Sequence, residues 1–175
     1  MSTTVQEIAR GFSRRAVEEL SWKRGEPEWV RARRLDAWSV YEATPMPSRT
    51  DEEWRRTDIR RLPIDQVYPY AGLDRHAGSL SDLPPALVES LGEAALRSGL
   101  LVQVDASTAY AELDPALVEK GVVFTDLATA IERYPDLVQR YFMTEAVKPS
   151  DNKFAALHAA FWSGGVFVYV PANTQ

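Results

Sequence analysis

The chain has 175 residues, 45% of them hydrophobic, which is enough for one domain with a proper core and a small additional segment. The absence of cysteine excludes disulfides, thiolate metal ligands and a cysteine nucleophile within this chain. The formal net charge is −5, and acidic residues alternate with the arginines of residues 1–61, so the basic surface typical of nucleic-acid-binding proteins is missing.

Targeting and membrane signals are also missing from the sequence. No apolar run approaches the length needed to span a bilayer, and residues 1–12 lack the charged start and unbroken apolar stretch of a signal peptide. The sequence therefore predicts a cytoplasmic protein that binds neither membranes nor nucleic acids.

Two helices are predicted at the start of the chain. Apolar residues of the first recur at helical spacing: Val5, Ile8, Phe12, Ala16 and Leu20. The second runs from about Pro27 to Ala43 and ends before Pro45. Because its apolar residues lie all round the helix, we expect it to pack on more than one neighbour.

Residues 49–61, RTDEEWRRTDIRR, combine arginines, acids and one tryptophan. We expect Trp54 to anchor this segment against the helix pair, with the arginines in solvent-facing ion pairs. The alternative is a surface for an anionic partner.

Residues 63–83 are predicted to be an exposed connection, because proline and glycine interrupt them.

A short helix and a hairpin are predicted next. Ser81 or Asp82 is expected to cap a helix that ends at Gly99. Its apolar face would comprise Leu87, Leu91, Ala94 and Ala95. Two strands, 100–104 and 108–113, are predicted to form the hairpin.

The next segment is predicted to be a strand followed by three helices. The strand covers 122–124, and Thr125 or Asp126 should cap the helix that follows it. Pro135 is expected to start the next helix, and Asp151 to cap the last one.

The end of the chain, DNKFAALHAAFWSGGVFVYVP, predicts an alanine-rich helix, a turn at Gly164 and Gly165, and a strand over 166–170. The continuous apolar run predicts a strand buried on both faces, which needs a neighbour on each side. Because few residues follow it, we expect this stretch to be part of a larger structure that continues past Gln175.

No catalytic, cofactor-binding or metal-binding residues are predicted. His76 and His158 are the only histidines and lie far apart in sequence. Adjacent carboxylates, Glu18 with Glu19 and Glu52 with Glu53, point in different directions and are interpreted as solvated. The chain is therefore predicted not to be an enzyme; a hydrolase that uses His76 or His158 is a weaker alternative.

Four sequence runs are distinctive: EPEW at 26–29, DEEWR at 51–55, GVVFTDL at 121–127 and the run from Asn152 to Pro171. Together they resemble the SufB/SufD family of iron–sulfur cluster assembly proteins, and SufD most. Arg56 departs from the family pattern, in which many members carry an aromatic residue.

The resemblance implies an α+β fold in two parts. A mainly helical N-terminal domain with a small sheet would cover 1–148, and residues 149–175 would be the opening helix and first strand of a right-handed parallel β-helix that is otherwise missing. The alanines of that helix are small enough to let it cover the end of the β-helix as a lid.

The resemblance also implies a function. The chain would be the N-terminal part of a non-catalytic scaffold subunit of the SufBCD complex, with SufB-like and SufC-like partners for the full-length protein. No cofactor is expected in this chain; the full complex would handle an iron–sulfur cluster, with ATP bound by SufC.

Two further possibilities concern interactions. A stand-alone interaction module would use the Trp/Arg-rich N-terminal half, with Trp29, Trp38 and Trp54 exposed to a partner. If the chain is expressed alone, self-association through the strand 166–170 is expected, because its edge would be unprotected.

Overall fold

The computed structural model describes residues 10–69, 79–91, 98–104 and 107–174. The helices of these ranges are α1 (Arg14–Lys23), α2 (Glu28–Ala43), α3 (Pro85–Ser90), α4 (Pro115–Glu119), α5 (Leu127–Arg133), α6 (Pro135–Tyr141) and α7 (Lys153–Phe161). The strands are β1 (Gly99–Val104), β2 (Ser107–Leu113), β3 (Val123–Asp126) and β4 (Val166–Tyr169). The predicted α+β class is confirmed.

The described residues form two compact units, and each unit consists of two separate segments of the chain. Unit 1 contains 10–69 and 143–162, and unit 2 contains 79–142 and 163–174. The predicted division into 1–148 and 149–175 follows different boundaries. It depends on a β-helix that would continue from β4, so the division and the β-helix both stay predictions.

Helix α1 begins later than the sequence pattern predicted. Gly11 has a φ of 82°, and the Ser13 hydroxyl accepts a hydrogen bond from the backbone N–H of Ala16, so the helix begins at Arg14. Phe12 therefore precedes the helix and packs beside it on the ring of Phe161. Val5 and Ile8 lie outside the described residues.

Helix α2 has the predicted bounds and the predicted environment. It packs on both α1 and α7, which explains why its apolar residues do not form a single stripe. The core of unit 1 combines side chains from all three helices: Ala16, Val17, Leu20, Ala37, Trp38, Ala159, Ala160 and Phe161. The small alanines of α7 allow α2 to approach closely.

The cap of α7 is one residue away from the predicted position. The side chain of Asn152, not of Asp151, accepts the hydrogen bond from the backbone N–H of Ala155 at 2.9 Å. The Asp151 carboxylate accepts instead from the backbone N–H of Lys148 and closes the preceding turn. Asn152 has the extended backbone that an N-cap requires.

Unit 2 contains the predicted hairpin, in which β1 and β2 pair antiparallel.

Two predictions about the helix that precedes the hairpin were wrong. Gly99 is the first residue of β1 and does not end the helix, and the residue before α3 is Pro84, not Ser81 or Asp82. Asp82 instead forms a capping box with Ser79 around a 3₁₀ turn. Ala94, Ala95, Asp105 and Ala106 lie outside the described residues.

The second sheet of unit 2 pairs β3 antiparallel with β4, with Val123 opposite Tyr169 and Asp126 opposite Val166. Asp126 caps α5 and Pro135 begins α6, as predicted. In the described chain β4 has one strand neighbour, and most of its side chains are exposed. The predicted burial of this strand on both faces requires a continuation of the chain, so it stays a prediction.

No helix among the described residues is both long enough and apolar enough to cross a membrane.

Candidate functional site

An exposed apolar surface lies on β4 and the residue that follows it. Val166 and Val168 in β4 and Val170 directly after it are 45%, 58% and 55% exposed; on the opposite face of β4, Phe167 is half-buried and Tyr169 is 38% exposed. Alternate residues of a strand share a face, so Val166 and Val168 lie on one face of β4, and Val170 continues the same alternation in the sequence. We call these three residues the valine strip.

The free edge of β4 lacks the features that usually prevent pairing. Within the described chain, β4 forms strand hydrogen bonds with β3 alone. Exposed edges are usually protected by charged side chains or proline. No residue after Lys153 carries a charge, and Pro171 lies beyond the end of the strand. This edge is therefore chemically suited to accept another strand.

A second unusual feature is the buried guanidinium of Arg34 in α2, which is 0% exposed. Its Nε and Nη2 donate to the two carboxylate oxygens of Glu26 at 2.7 and 2.6 Å. Nη1 donates to the carbonyl oxygen of Ala160, and Nη2 also donates to that of Trp162, each at 2.9 Å. The guanidinium also lies over the Trp162 ring, 4.1 Å from its centroid. Pairing and stacking of this kind offset the cost of burying the charge.

Lys153, the first residue of α7, is also buried. Its Nζ donates to the carbonyl oxygens of Tyr41 and Thr44, both at 2.6 Å, and lies 4.0 Å from the centroid of the Tyr41 ring. The sequence analysis did not predict that Arg34 and Lys153 are buried. Arg34 follows Arg31 and Arg33 and looks like part of a solvated charge run, and the fold alone brings its distant partners to it.

In unit 2, Asp126 is the N-cap of α5, and its pKa is shifted from the ordinary value. Burial of the carboxyl would raise its pKa, but hydrogen bonds from the Thr129 side chain and backbone lower the pKa below its ordinary value. The Asp126 carboxylate is therefore charged when it accepts the hydrogen bonds that hold the first turn of α5.

Comparison with known proteins gives the family of the chain. Residues 94–175 match the model of the SufBD protein N-terminal region. The chain is 36% identical over 162 residues to the iron–sulfur cluster assembly protein SufD of Bacillus subtilis, an alignment that covers 91% of this chain and 35% of that protein. The chain belongs to the SufB/SufD family.

Other members of the SufB/SufD family are similar over the same extent. A SufBD family iron–sulfur cluster assembly protein of Staphylococcus haemolyticus is 33% identical over 174 residues, covering 95% of this chain and 36% of that protein. One from Mycobacterium tuberculosis is 32% identical over 175 residues, covering 95% of this chain and 20% of its own length. The chain thus spans about a third or less of the relatives it matches.

In this SufB/SufD family chain, Trp54 anchors the segment 49–61. The prediction placed Trp54 against the helix pair at the start of the chain, whereas its ring contacts α7. The Trp54 ring packs on Phe154 with 5.1 Å between centroids. Arg55 pairs with Glu52, and Arg60 pairs with Asp58, in exposed ion pairs. The hydrogen bonds from Arg60 lower the pKa of Asp58 well below its usual range.

Among the residues that the structure describes, those considered for chemistry do not form a shared site. His158 is exposed on α7, and His76 lies outside the described residues. Glu18 and Glu19 pair with Arg14 and Arg15 on the surface of α1. In the described ranges, no group of three or more histidine or acidic residues is placed to hold a metal ion.

The tryptophans proposed for partner recognition differ in exposure. Trp38 is 5% exposed and stacks on Tyr41 within the core. Trp29 is half-buried beneath the guanidinium of Arg33. Trp22, which the sequence analysis did not single out, is 77% exposed at the end of α1. The described structure therefore uses Trp38 for packing and leaves Trp22 accessible.

Proposed function

We propose that this chain is part of a non-catalytic scaffold subunit that acts in iron–sulfur cluster assembly within a SufBCD-type complex. The similarity to SufD of Bacillus subtilis, over 91% of this chain, carries the proposal. That relative is named as an iron–sulfur cluster assembly protein, and the matched family model concerns the N-terminal region of such proteins.

The valine strip supports an architectural role. An apolar strand face with an open edge is suited to continue a sheet. We propose that β4 is the first strand of a right-handed parallel β-helix, with α7 as the helix that covers its end. In this proposal SufB-like and SufC-like subunits bind the full-length protein, and SufC binds the ATP.

The cluster itself would be the cargo of the complex. Iron–sulfur clusters are usually held by cysteine thiolates, and this chain contains no cysteine. The proposal therefore assigns cluster ligands to residues outside this chain, and a cytoplasmic location to the assembly.

Co-purification tests the proposal. The full-length natural protein, tagged and co-expressed with SufB-like and SufC-like subunits from the same genome, is expected to retain both through gel filtration. An unrelated ATPase of the same genome serves as the negative control. Loss of both subunits during purification would contradict the scaffold role.

The alternative, a stand-alone interaction module, is favoured by one observation, the 77% exposure of Trp22. Iodide quenching of tryptophan fluorescence distinguishes the accessible from the buried indoles. The Trp22→Phe variant should remove most of the quenchable emission. If Trp22→Ala then abolished binding of a partner while Suf subunits failed to co-purify, the module would be the better description.

A further inference from the structure

Helices α2 and α7 each end without a glycine C-cap and without a buried basic residue in the last turn, although Thr44 donates its backbone N–H and its hydroxyl to the Val40 carbonyl at the end of α2. The last four carbonyls of a helix have no partner within it, and glycine or a basic residue in the last turn commonly compensates. The last turn of α2 has no basic residue, and α7 has only His158, which is exposed. Neither C-cap residue, Thr44 or Trp162, is glycine.

Buried cationic donors to the C-terminal carbonyls come from the other helix. Lys153, at the start of α7, donates to the carbonyls at the end of α2. Arg34, within α2, donates to the carbonyls at the end of α7. Each buried cation also faces the negative end of a helix dipole, where positive charge is favourable.

We propose that these contacts form a reciprocal lock, in which each helix caps the other and which makes residues 10–69 and 143–162 one cooperative unit. The lock fixes where α7 ends and so where the chain leaves unit 1. α7 has nine residues, too few to be stable as an isolated helix, so it depends on such contacts.

The chemistry of Arg34 makes arginine a requirement at this position. Its planar fork engages the Glu26 carboxylate with two nitrogens while reaching two carbonyls and stacking on the Trp162 ring. A lysine ammonium has three donors on one atom and cannot reproduce this arrangement. Glu26 neutralises the buried charge, and its side chain is only 6% exposed.

The test measures amide hydrogen exchange of the whole chain by mass spectrometry. Arg34→Lys is expected to accelerate exchange in residues 157–165 by about tenfold or more, which corresponds to about 1.4 kcal/mol of local opening. Arg31→Lys is the matched control, because Arg31 lies in the same helix in an exposed pair with Glu28. Equal exchange in the two variants would overturn the proposal.

A double-mutant cycle tests the lock without depending on one variant. Glu26→Gln alone should accelerate exchange at the end of α7, because it removes the counter-charge of a buried cation, whereas Glu28→Gln should not. In the Arg34→Met background, Glu26→Gln should instead be neutral or protective, since no buried cation remains. Additive effects would show that the two residues act separately.

The other end of the lock has its own pair of variants. Lys153→Met is expected to accelerate exchange at least about tenfold around residues 40–46, at the end of α2. Lys148→Met is the control, because Lys148 is exposed in the preceding turn. Unchanged exchange at the end of α2 in Lys153→Met would reject reciprocity even if the Arg34 results held.

Discussion

At the residue scale, single side chains with satisfied polar groups determine where elements begin and end. Ser13, Asp126 and Asn152 each accept a hydrogen bond from a backbone N–H in the first turn of the helix that follows. The sequence analysis left Thr125 and Asp126 as alternative caps of α5, of which Asp126 acts, and it chose Asp151 where Asn152 acts. Both residues have side chains suited to capping, and the backbone geometry decides between neighbours.

Asp126→Ala is expected to lower the free energy of unfolding by about 1 kcal/mol, because two hydrogen bonds to Thr129 are lost. Urea unfolding followed by circular dichroism measures the change. Glu132→Ala, an exposed substitution in the same helix, is the control and should change stability by less than about 0.5 kcal/mol. A loss no larger than that of the control would contradict the capping role.

The lowered pKa of Asp126 predicts a pH dependence that Asp126→Asn lacks. The charged form contributes stability above the unfolded pKa of about 3.9, and this contribution disappears as the pH falls through the lower folded pKa. The stability difference between wild type and Asp126→Asn should therefore shrink between pH 7 and about pH 3. Urea unfolding at both pH values measures it, and a constant difference would contradict the assignment.

At the element scale, the local sequence of the last strand predicts its extended backbone, whereas the neighbouring elements determine its burial. The apolar run correctly predicted a strand, because β-branched and aromatic residues favour extended backbone. It also predicted burial on both faces, whereas within the described ranges β4 has one strand neighbour and an exposed valine strip. Burial depends on which elements lie beside the strand, and a local run of residues carries no such information.

Self-association through β4 is the corresponding prediction for the isolated chain. Wild type is expected to form concentration-dependent oligomers in analytical ultracentrifugation, and Val168→Lys should shift the protein to monomer by placing a charge on the edge strand. Val147→Lys is the control, since Val147 is 56% exposed, close to the 58% of Val168, but lies outside any strand. A strictly monomeric wild type would reject the prediction.

At the scale of the whole molecule, unit 1 is assembled from two segments that are far apart in sequence. Its helices α1 and α2 share a core with α7, and the residues between them in the chain belong to unit 2. The alanines of α7 are the condition for this packing, because a larger side chain would separate the helices.

Ala160→Leu is therefore expected to lower the free energy of unfolding by about 1–3 kcal/mol through overpacking, since Ala160 is 0% exposed in the core. Hydrogen exchange should also rise in α2, although α2 lies in the other segment. Ala146→Leu, at an exposed position of the same segment, is the control. Unchanged exchange in α2 would show that the segments do not form one core.

The sequence by itself determined the α+β class, the bounds of α2, the β1–β2 hairpin and the family, and it narrowed the cap of α5 to Thr125 or Asp126. Each of these features depends on nearby residues or on residues compared directly with relatives. Only the tertiary structure decided that β4 pairs antiparallel with β3 and that Arg34 and Lys153 are buried caps of distant helices. These contacts join residues at least 40 positions apart, 109 or more for the two cations. A charge run or an apolar run looks the same along the chain whatever covers it, so its environment exists only once the chain has folded.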